Sequence, residues 1–216
     1  MKKLVIFDLD GTLLNTIADL ATATNHALQQ LGYPTHSADV IRTYVGNGIN
    51  KLLERALPPA EQSDQNINRM RSLFIPYYNE HSTDLSSPYP GIIHLLEELQ
   101  KKGIMIAVAS NKYHTATIKL IKHYFPTIHF TEILGQRDGI GVKPDPTIVF
   151  DIMKIANVQK EDVLYVGDSD VDIKTAHNAE VDAIAVTWGF RSREELAFHH
   201  PKGIIDIPEE LLFFLN

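Results

Sequence analysis

The sequence has no cysteine, so it offers neither a disulfide framework nor thiol chemistry, which fits the cytoplasmic location that we expect. No apolar run is long enough to cross a membrane, and we expect no membrane partner. Only four apolar residues separate Lys3 from Asp8, which is too few for the core of a signal peptide.

Positive charge is scarce relative to negative charge. The 20 lysines and arginines are outnumbered by 27 acidic residues, which gives a net charge of -7 and a pI of about 5.8. This balance argues against binding to nucleic acid, because the phosphate backbone attracts basic surfaces. The sequence also contains no internal repeat and no low-complexity tract.

The 216 residues, 44% of them hydrophobic, suffice for one large domain or for one and a half. Residues 4–7 form a short apolar run that predicts a buried strand. Asp8 and Asp10 follow at its carboxyl end, where open α/β sheets bind ligands. Taken alone, such acids are more often turn formers or helix caps. Two carboxylates this close repel each other unless a cation or a shared proton holds them, which favours a metal site.

Two different periodicities divide the chain. Residues 15–82 contain no good strand and have helical spacing, and Pro76 is expected to kink or interrupt the last helix. After residue 82, strands and helices alternate with short connections, which predicts an α/β fold with a parallel sheet wound by helices. The later strands are expected at residues 104–109, 163–166, 183–186 and 203–205, with a short one near 132–134.

Polar side chains cluster where the predicted strands end. Because the carboxyl ends of parallel strands meet at one edge, we expect these side chains to lie together. They offer hard oxygen ligands without histidine or cysteine, which selects Mg²⁺ over zinc. Lys143 adds a compact cation suited to phosphate. The residues concerned are Asp8, Asp10, Ser110, Asn111, Asp168 and Asp172.

Other polar residues near these motifs have less specific expectations. Lys112 is expected to face solvent at the start of a helix, and Arg55 to be a surface residue. Asp145 is expected to cap a helix whose first residue is Pro146. The loop at Gly46, Asn47 and Gly48 either brings backbone amides over a substrate or is simply a turn.

Four motifs together resemble those of the haloacid dehalogenase-like hydrolase superfamily. The resemblance implies a Rossmann-like α/β core, residues 1–14 and 83–216, with a helical cap domain, residues 15–82, inserted after the first strand. Two further segments, residues 45–57 and 188–191, resemble the phosphoglycolate phosphatase branch. The four motifs are residues 8–12, Ser110, residues 143–146 and residues 167–172.

The resemblance implies a role for each motif residue in hydrolysis of a small phosphorylated metabolite. Asp8 is the implied nucleophile, which forms an aspartyl-phosphate, and Asp10 is the general acid and base. The implied Mg²⁺ ligands are Asp8, the Asp10 backbone carbonyl, Asp168 and Asp172, with Asp170 as a weaker competitor. The implied phosphate-binding residues are Ser110, Asn111 and Lys143.

The sequence leaves several alternatives open. The leading substrate is 2-phosphoglycolate, but a sugar phosphate, pyrophosphate or a β-phosphoglucomutase-like transfer uses the same residues. A phosphate-binding or regulatory module without turnover is the alternative from another class. Asn15 and Glu180 replace an acid and a glycine that relatives often carry, and a positive φ at Glu180 costs on the order of 1 kcal/mol. The sequence does not decide between a monomer and a homodimer.

Overall fold

The computed structural model describes all 216 residues and is built on a six-stranded sheet in which every pairing is parallel. Its order is β5-β4-β1-β6-β7-β8, so β1 is central. The predicted parallel α/β fold is therefore confirmed. The strands of the chain are β1 (Leu4–Phe7), β2 (Leu14–Asn15), β3 (Ser87–Pro88), β4 (Met105–Tyr113), β5 (Glu132–Gln136), β6 (Val163–Gly167), β7 (Asp182–Val186) and β8 (Gly203–Ile205).

Helices cover both faces of this sheet because β1 is apolar on both. Val5 and Phe7 point into one hydrophobic cluster, whereas Leu4 and Ile6 point into the other. The first cluster includes residues of α5 and α6, and the second includes residues of α7, α8 and α9. These helices are α5 (Ile92–Lys101), α6 (His114–Tyr124), α7 (Thr147–Ala156), α8 (Asp170–Asn178) and α9 (Arg193–Phe198).

Four helices between β2 and β3 build a third hydrophobic cluster, to which α6 contributes only Ala116. Residues 15–82 were expected to contain no strand, and only Asn15, the second residue of β2, departs from this. Pro76 does not interrupt the last helix, which runs unbroken on both sides of it. The four helices are α1 (Ile17–Gln30), α2 (Ala38–Tyr44), α3 (Ile49–Ala56) and α4 (Asp64–His81).

Two chain segments join the four helices to the sheet. They pair as the short antiparallel strands β2 and β3, with Leu14 opposite Pro88 and Asn15 opposite Ser87. These two strands were not predicted from the sequence, because two residues are too few to show a period of two. The division into a core and a cap domain at residues 14/15 and 82/83 stays a prediction.

Two boundaries differ from the sequence-based expectation, and both lie near the polar motifs. Strand β4 continues to Tyr113 rather than ending at Ala109, although its register with β5 shifts between these residues. Helix α7 begins at Thr147, whose backbone N–H donates to Asp145 Oδ1 at 2.9 Å. The expected assignment was therefore wrong by one residue: Pro146 is the N-cap, and Asp145 lies just before it and accepts from the first helical residue.

Helices that cross a bilayer must be both long and apolar, and none in this fold meets both requirements.

Candidate active site

The carboxyl ends of the central strands bring three of the predicted acids together. Asp8 follows β1, Asp168 follows β6, and Asp172 lies in the first turn of α8. One carboxylate oxygen from each residue lies within 4.8 Å of the other two, and all three residues are buried. The expected convergence of strand ends is therefore observed.

Lys143 is the cation among these acids, and it is 2% exposed. Its Nζ lies 2.9 Å from Asp8 Oδ1 and 2.7 Å from Asp172 Oδ1. The ammonium also donates to the Ala109 carbonyl at 2.9 Å and to the Tyr165 hydroxyl at 3.1 Å. Lys143 thus lies behind Asp8 and does not line the adjoining cavity.

The ionisation of this cluster is set by burial and by mutual repulsion. Burial raises the pKa of Asp8 to about 7, Asp172 adds to the rise, and Lys143 opposes it. Burial, Asp172 and Asp8 also raise the pKa of Asp168 well above its usual range. Burial alone would lower the pKa of Lys143, but Asp172 and Asp8 raise it well above the ordinary value. The one ammonium therefore contacts two of the three buried carboxylates.

The donor set fits a hard divalent cation. Asp8 Oδ1 is buried without a hydrogen-bond donor, because its contact with Lys143 lacks hydrogen-bond geometry. Oxygen-only ligands with surplus negative charge are the environment that Mg²⁺ prefers. Asp172 fits less directly, because its Oδ1 pairs with Lys143 and its Oδ2 accepts from Ser169 N at 3.1 Å and Oγ at 2.6 Å.

Asp168 is oriented by neighbours from two other segments. Its Oδ2 accepts from the Phe190 N–H at 2.7 Å, and its Oδ1 accepts from Thr12 Oγ1 at 3.3 Å. Asp170, which the sequence left as a competing ligand, pairs with Lys174 at 2.6 Å and is not part of the acidic cluster.

Asp10 is held in place by a residue for which the sequence-based expectation was wrong. Lys112 Nζ lies 3.0 Å from Asp10 Oδ1 and 3.1 Å from Oδ2, and Thr16 Oγ1 donates to Oδ1 at 2.6 Å. The Lys112 side chain is 4% exposed, so it does not face solvent. Because β4 extends to Tyr113, Lys112 belongs to a strand end and not to a helix start.

The two remaining predicted phosphate ligands have different surroundings. Ser110 Oγ accepts from the Lys112 backbone N–H at 3.2 Å and retains its own hydrogen for donation. The Asn111 amide is already engaged: its Nδ2 donates to Gly46 O at 2.9 Å and to Lys143 O at 3.0 Å. Asn111 Oδ1 accepts from the Lys143 N–H at 2.8 Å.

These acids border a cavity between the sheet and the four helices. Its floor is polar, and its roof is largely apolar. Gly46 and Gly48 line the roof, whereas Asn47 of the same loop does not. The floor includes Asp8, Asp10, Ser110, Asn111, Lys112 and Asp168, and the apolar roof residues are Leu20, Val45, Ile49, Leu52 and Phe74.

Arg191 ties this roof to the sheet. It follows β7, and its Nη1 and Nη2 donate to the carbonyls of Arg42 and Val45 at 3.2 and 2.8 Å. These carbonyls lie at the end of α2, where helix carbonyls lack partners within the helix. Arg55 donates instead to Tyr44 O and does not line the cavity, in agreement with its expected surface position.

Sequence reasoning missed Lys112, Tyr78 and Arg191 as residues that line the cavity. A signal for Lys112 was available, because residues two apart in a strand share a face and Lys112 stands two positions after Ser110. Tyr78 offered none, since an aromatic residue at helical spacing is ordinarily part of a core.

Comparison with known proteins agrees with this arrangement. A family model described as "Haloacid dehalogenase-like hydrolase" matches residues 5–186. The phosphoglycolate phosphatase of Vibrio parahaemolyticus is 34% identical over 97% of this chain and 94% of its own length. That of Pasteurella multocida is 33% identical over 99% of this chain and 98% of its own length.

A solved structure gives the same result in three dimensions. The crystal structure of a predicted phosphoglycolate phosphatase from Haemophilus somnus superimposes with a TM-score of 0.92 at 30% identity. The match covers 100% of this chain and 98% of the other. The resemblance carried by the four motifs is thereby confirmed, and the chain belongs to the haloacid dehalogenase-like hydrolase family.

Proposed function

We propose that this hydrolase is a Mg²⁺-dependent phosphatase that cleaves a small phosphomonoester through an aspartyl-phosphate on Asp8. The observation that carries the proposal is that Asp8 and Asp10 line one cavity with separate partners. Asp8 lies against Lys143 and the other buried acids, whereas Asp10 is held by Lys112 and Thr16. Two carboxylates in such different environments are suited to different roles.

In the first step, a carboxylate oxygen of Asp8 attacks phosphorus, and the bond from phosphorus to the ester oxygen breaks. Asp10 gives its proton to the departing oxygen, so the product leaves as an alcohol. In the second step, Asp10 takes a proton from water, whose oxygen attacks the same phosphorus. Inorganic phosphate then leaves, and the Asp8 carboxylate is restored.

Negative charge on the transferring phosphoryl group is stabilised in these steps by groups that are already in position. Ser110 Oγ donates to a phosphoryl oxygen from the cavity floor, and Lys143 stabilises the Asp8 side of the transferring group. Asn111 orients the Lys143 backbone through two hydrogen bonds and acts through it. Mg²⁺, when bound, supplies positive charge that neutralises the phosphoryl oxygens and the acids.

The residues that would hold Mg²⁺ are Asp8, Asp168 and the backbone carbonyl of Asp10. We assign Asp172 an outer position, because both of its oxygens already have partners in Lys143 and Ser169. Its part is then to fix the orientation of Lys143 and of the first turn of α8.

We further propose that residues 15–82 act as a cap over residues 1–14 and 83–216. The separate hydrophobic cluster of α1–α4 and the two-stranded connection of β2 and β3 support this division. A closed cap excludes water from the cavity and strengthens the interactions inside it. Gly46 and Gly48 would contribute to substrate contact, whereas Asn47 does not line the cavity.

The substrate that the named relatives favour is 2-phosphoglycolate. The test is phosphate release from 2-phosphoglycolate, sugar phosphates and pyrophosphate, with Mg²⁺ and with chelator. We expect metal-dependent release with 2-phosphoglycolate preferred, and a loss of about a thousandfold or more in Asp8→Asn. Asp170→Asn is the matched control and should retain activity, because Asp170 pairs with Lys174 outside the cluster.

Each other outcome rejects a specific part of the proposal. Release of phosphate by Asp8→Asn at the native rate rejects the nucleophile. Equal rates with Mg²⁺ and with chelator reject the metal. Isomerisation of a sugar phosphate without phosphate release favours the mutase alternative.

A further inference from the structure

The cavity wall contains more polar groups than the transfer of a phosphoryl group requires. Most of them are committed to partners within the chain. The terminal nitrogens of Arg191 donate to two carbonyls, and the Asn111 amide donates to Gly46 O and Lys143 O. The Tyr113 hydroxyl donates to Asn79 Oδ1 at 2.6 Å.

Tyr78 is the exception on the roof. This residue of α4 lines the cavity and is 0% exposed, yet its hydroxyl has no hydrogen-bond partner. A buried hydroxyl without a partner costs about 1 to 3 kcal/mol, so such groups in proteins usually have a reason. Burial raises the pKa of Tyr78 well above its ordinary value, so the hydroxyl is a neutral donor that lacks an acceptor.

Lys112 is the second residue with a hydrogen-bond donor that remains available. Its Nζ directs two N–H groups towards the two oxygens of Asp10, whereas an ammonium has three. The Nζ also lies 4.6 Å from the centre of the Tyr78 ring. A residue of the sheet and a residue of the roof therefore present unused donors at neighbouring positions beside Asp10.

The proposed chemistry says what part of a substrate reaches this position. Asp10 protonates the ester oxygen of the leaving group, so the leaving group lies next to Asp10 and hence next to Lys112. In 2-phosphoglycolate one methylene carbon separates this oxygen from a carboxylate. Leu20, Leu52 and Phe74 line the same cavity and offer no acceptor or donor.

From these observations we propose that Tyr78 and Lys112 form a subsite for the carboxylate of a short phosphorylated carboxylic acid. The Tyr78 hydroxyl and the free N–H of Lys112 donate to the carboxylate oxygens, and the apolar roof strengthens both hydrogen bonds by excluding water. The subsite rests on the proposed function for its orientation, because Asp10 defines the leaving-group side. It makes Tyr78 and Lys112 specificity-determining residues.

The experiment measures binding instead of turnover. Asp8→Asn protein with Mg²⁺ is titrated calorimetrically with 2-phosphoglycolate and with ethyl phosphate, which has a methyl group in place of the carboxylate. We expect the Asp8→Asn protein to prefer 2-phosphoglycolate by a factor of about 100 or more. Adding Tyr78→Phe should lower this preference about tenfold, since one hydrogen bond to a charged group is lost.

Tyr113→Phe is the matched control in the same background. Tyr113 also lines the cavity, but its hydroxyl is already bonded to Asn79, so the preference should not change. Lys112→Met should lower the preference at least as much as Tyr78→Phe, and Lys112→Arg should restore part of it. The ratio of the two affinities is the readout, because Lys112 also contacts Asp10 and its loss affects both ligands.

Equal affinity for the two ligands, or a preference that survives both Tyr78→Phe and Lys112→Met, overturns the subsite. This result is independent of the proposed function, whose failure appears as absent phosphate release by the native chain. A native chain that releases phosphate while the binding preference is unchanged in both variants keeps the phosphatase and rejects the subsite.

Discussion

Gly11 illustrates how a single residue without a side chain shapes the cluster of acids. Its φ is +85°, and a Cβ built at this position would lie 2.2 Å from Asp168 Oδ2. Gly11→Ala therefore adds a strained backbone to a steric clash, and we expect a loss of about 2 to 4 kcal/mol in the free energy of unfolding. Urea unfolding measures this loss, and Mg²⁺-dependent phosphate release should fall with it.

Gly103 provides the control for the Gly11 prediction. Its φ is +72°, but a Cβ there would have nothing within 4 Å. Gly103→Ala therefore adds only backbone strain, and we expect it to lower the free energy of unfolding by about 1 to 2 kcal/mol with activity retained. An equal loss of stability and activity in both variants would contradict the steric role of Gly11.

Glu180 is a residue with a side chain in a backbone conformation that favours glycine. Its φ is 58°, a left-handed value that only glycine adopts without strain. Glu180→Gly is expected to raise the free energy of unfolding by about 0.5 to 1 kcal/mol. Glu180→Ala keeps the strain and removes only the exposed pair with Lys160, so urea unfolding should show no gain.

At the residue scale, the acids and Lys143 were predicted from the sequence, whereas Lys112 as the partner of Asp10 was not. Asp8 and Asp168 stand directly after strands β1 and β6, and the first turn of α8 adds Asp172. Lys112, the partner of Asp10, lies three residues beyond the predicted end of β4, so it was assigned to a helix start and not to the strand face that it shares with Ser110. Tyr78 lies in α4, which is distant in sequence from Asp10 and Lys112, the residues that share the cavity with it.

At the scale of elements, the Asp19 side chain connects α1 by hydrogen bonds to residues 85–86, which lead back to the sheet. This carboxylate is 3% exposed and accepts from Leu85 N at 3.0 Å and from Ser86 N and Oγ at 2.8 and 2.6 Å. In Asp19→Asn the side-chain NH2 group faces one of these donors and leaves it without an acceptor. We therefore expect the free energy of unfolding, measured with urea, to fall by about 1 to 3 kcal/mol. Asp39→Asn, at an exposed position, should change stability by less than about 0.5 kcal/mol.

The elements differ in how far the sequence predicted them. Strands β1, β6 and β7 were predicted because buried parallel strands are continuous apolar runs. Helix α4 was expected to be kinked or interrupted at Pro76, and the structure shows that it is not interrupted there. Phe74 and Tyr78, on either side of Pro76, are both buried in the cluster of the four helices.

At the scale of the whole molecule, the topology of the sheet explains why one edge collects so many acids. Strand β1 lies between β4 and β6, and all three are parallel. The residues that follow these three strands are therefore neighbours at one edge of the sheet. The alternation of strands and helices was enough to predict this. The cavity above the edge was beyond sequence reasoning, since its roof depends on how α1–α4 pack over the sheet.

The raised pKa values predict how pH and metal act on stability. Asp8 titrates near pH 7 when folded and near 3.8 when unfolded, so in this window the metal-free native state binds more protons. Its free energy of unfolding should therefore fall as pH rises through this window. Mg²⁺ binds the ionised acids, so its stabilising effect in urea unfolding should be larger at about pH 8 than at about pH 5. Asp8→Asn lacks this carboxyl, so with chelator present its free energy of unfolding should fall less steeply as pH rises. A pH dependence as steep as that of the native chain would contradict the raised pKa of Asp8.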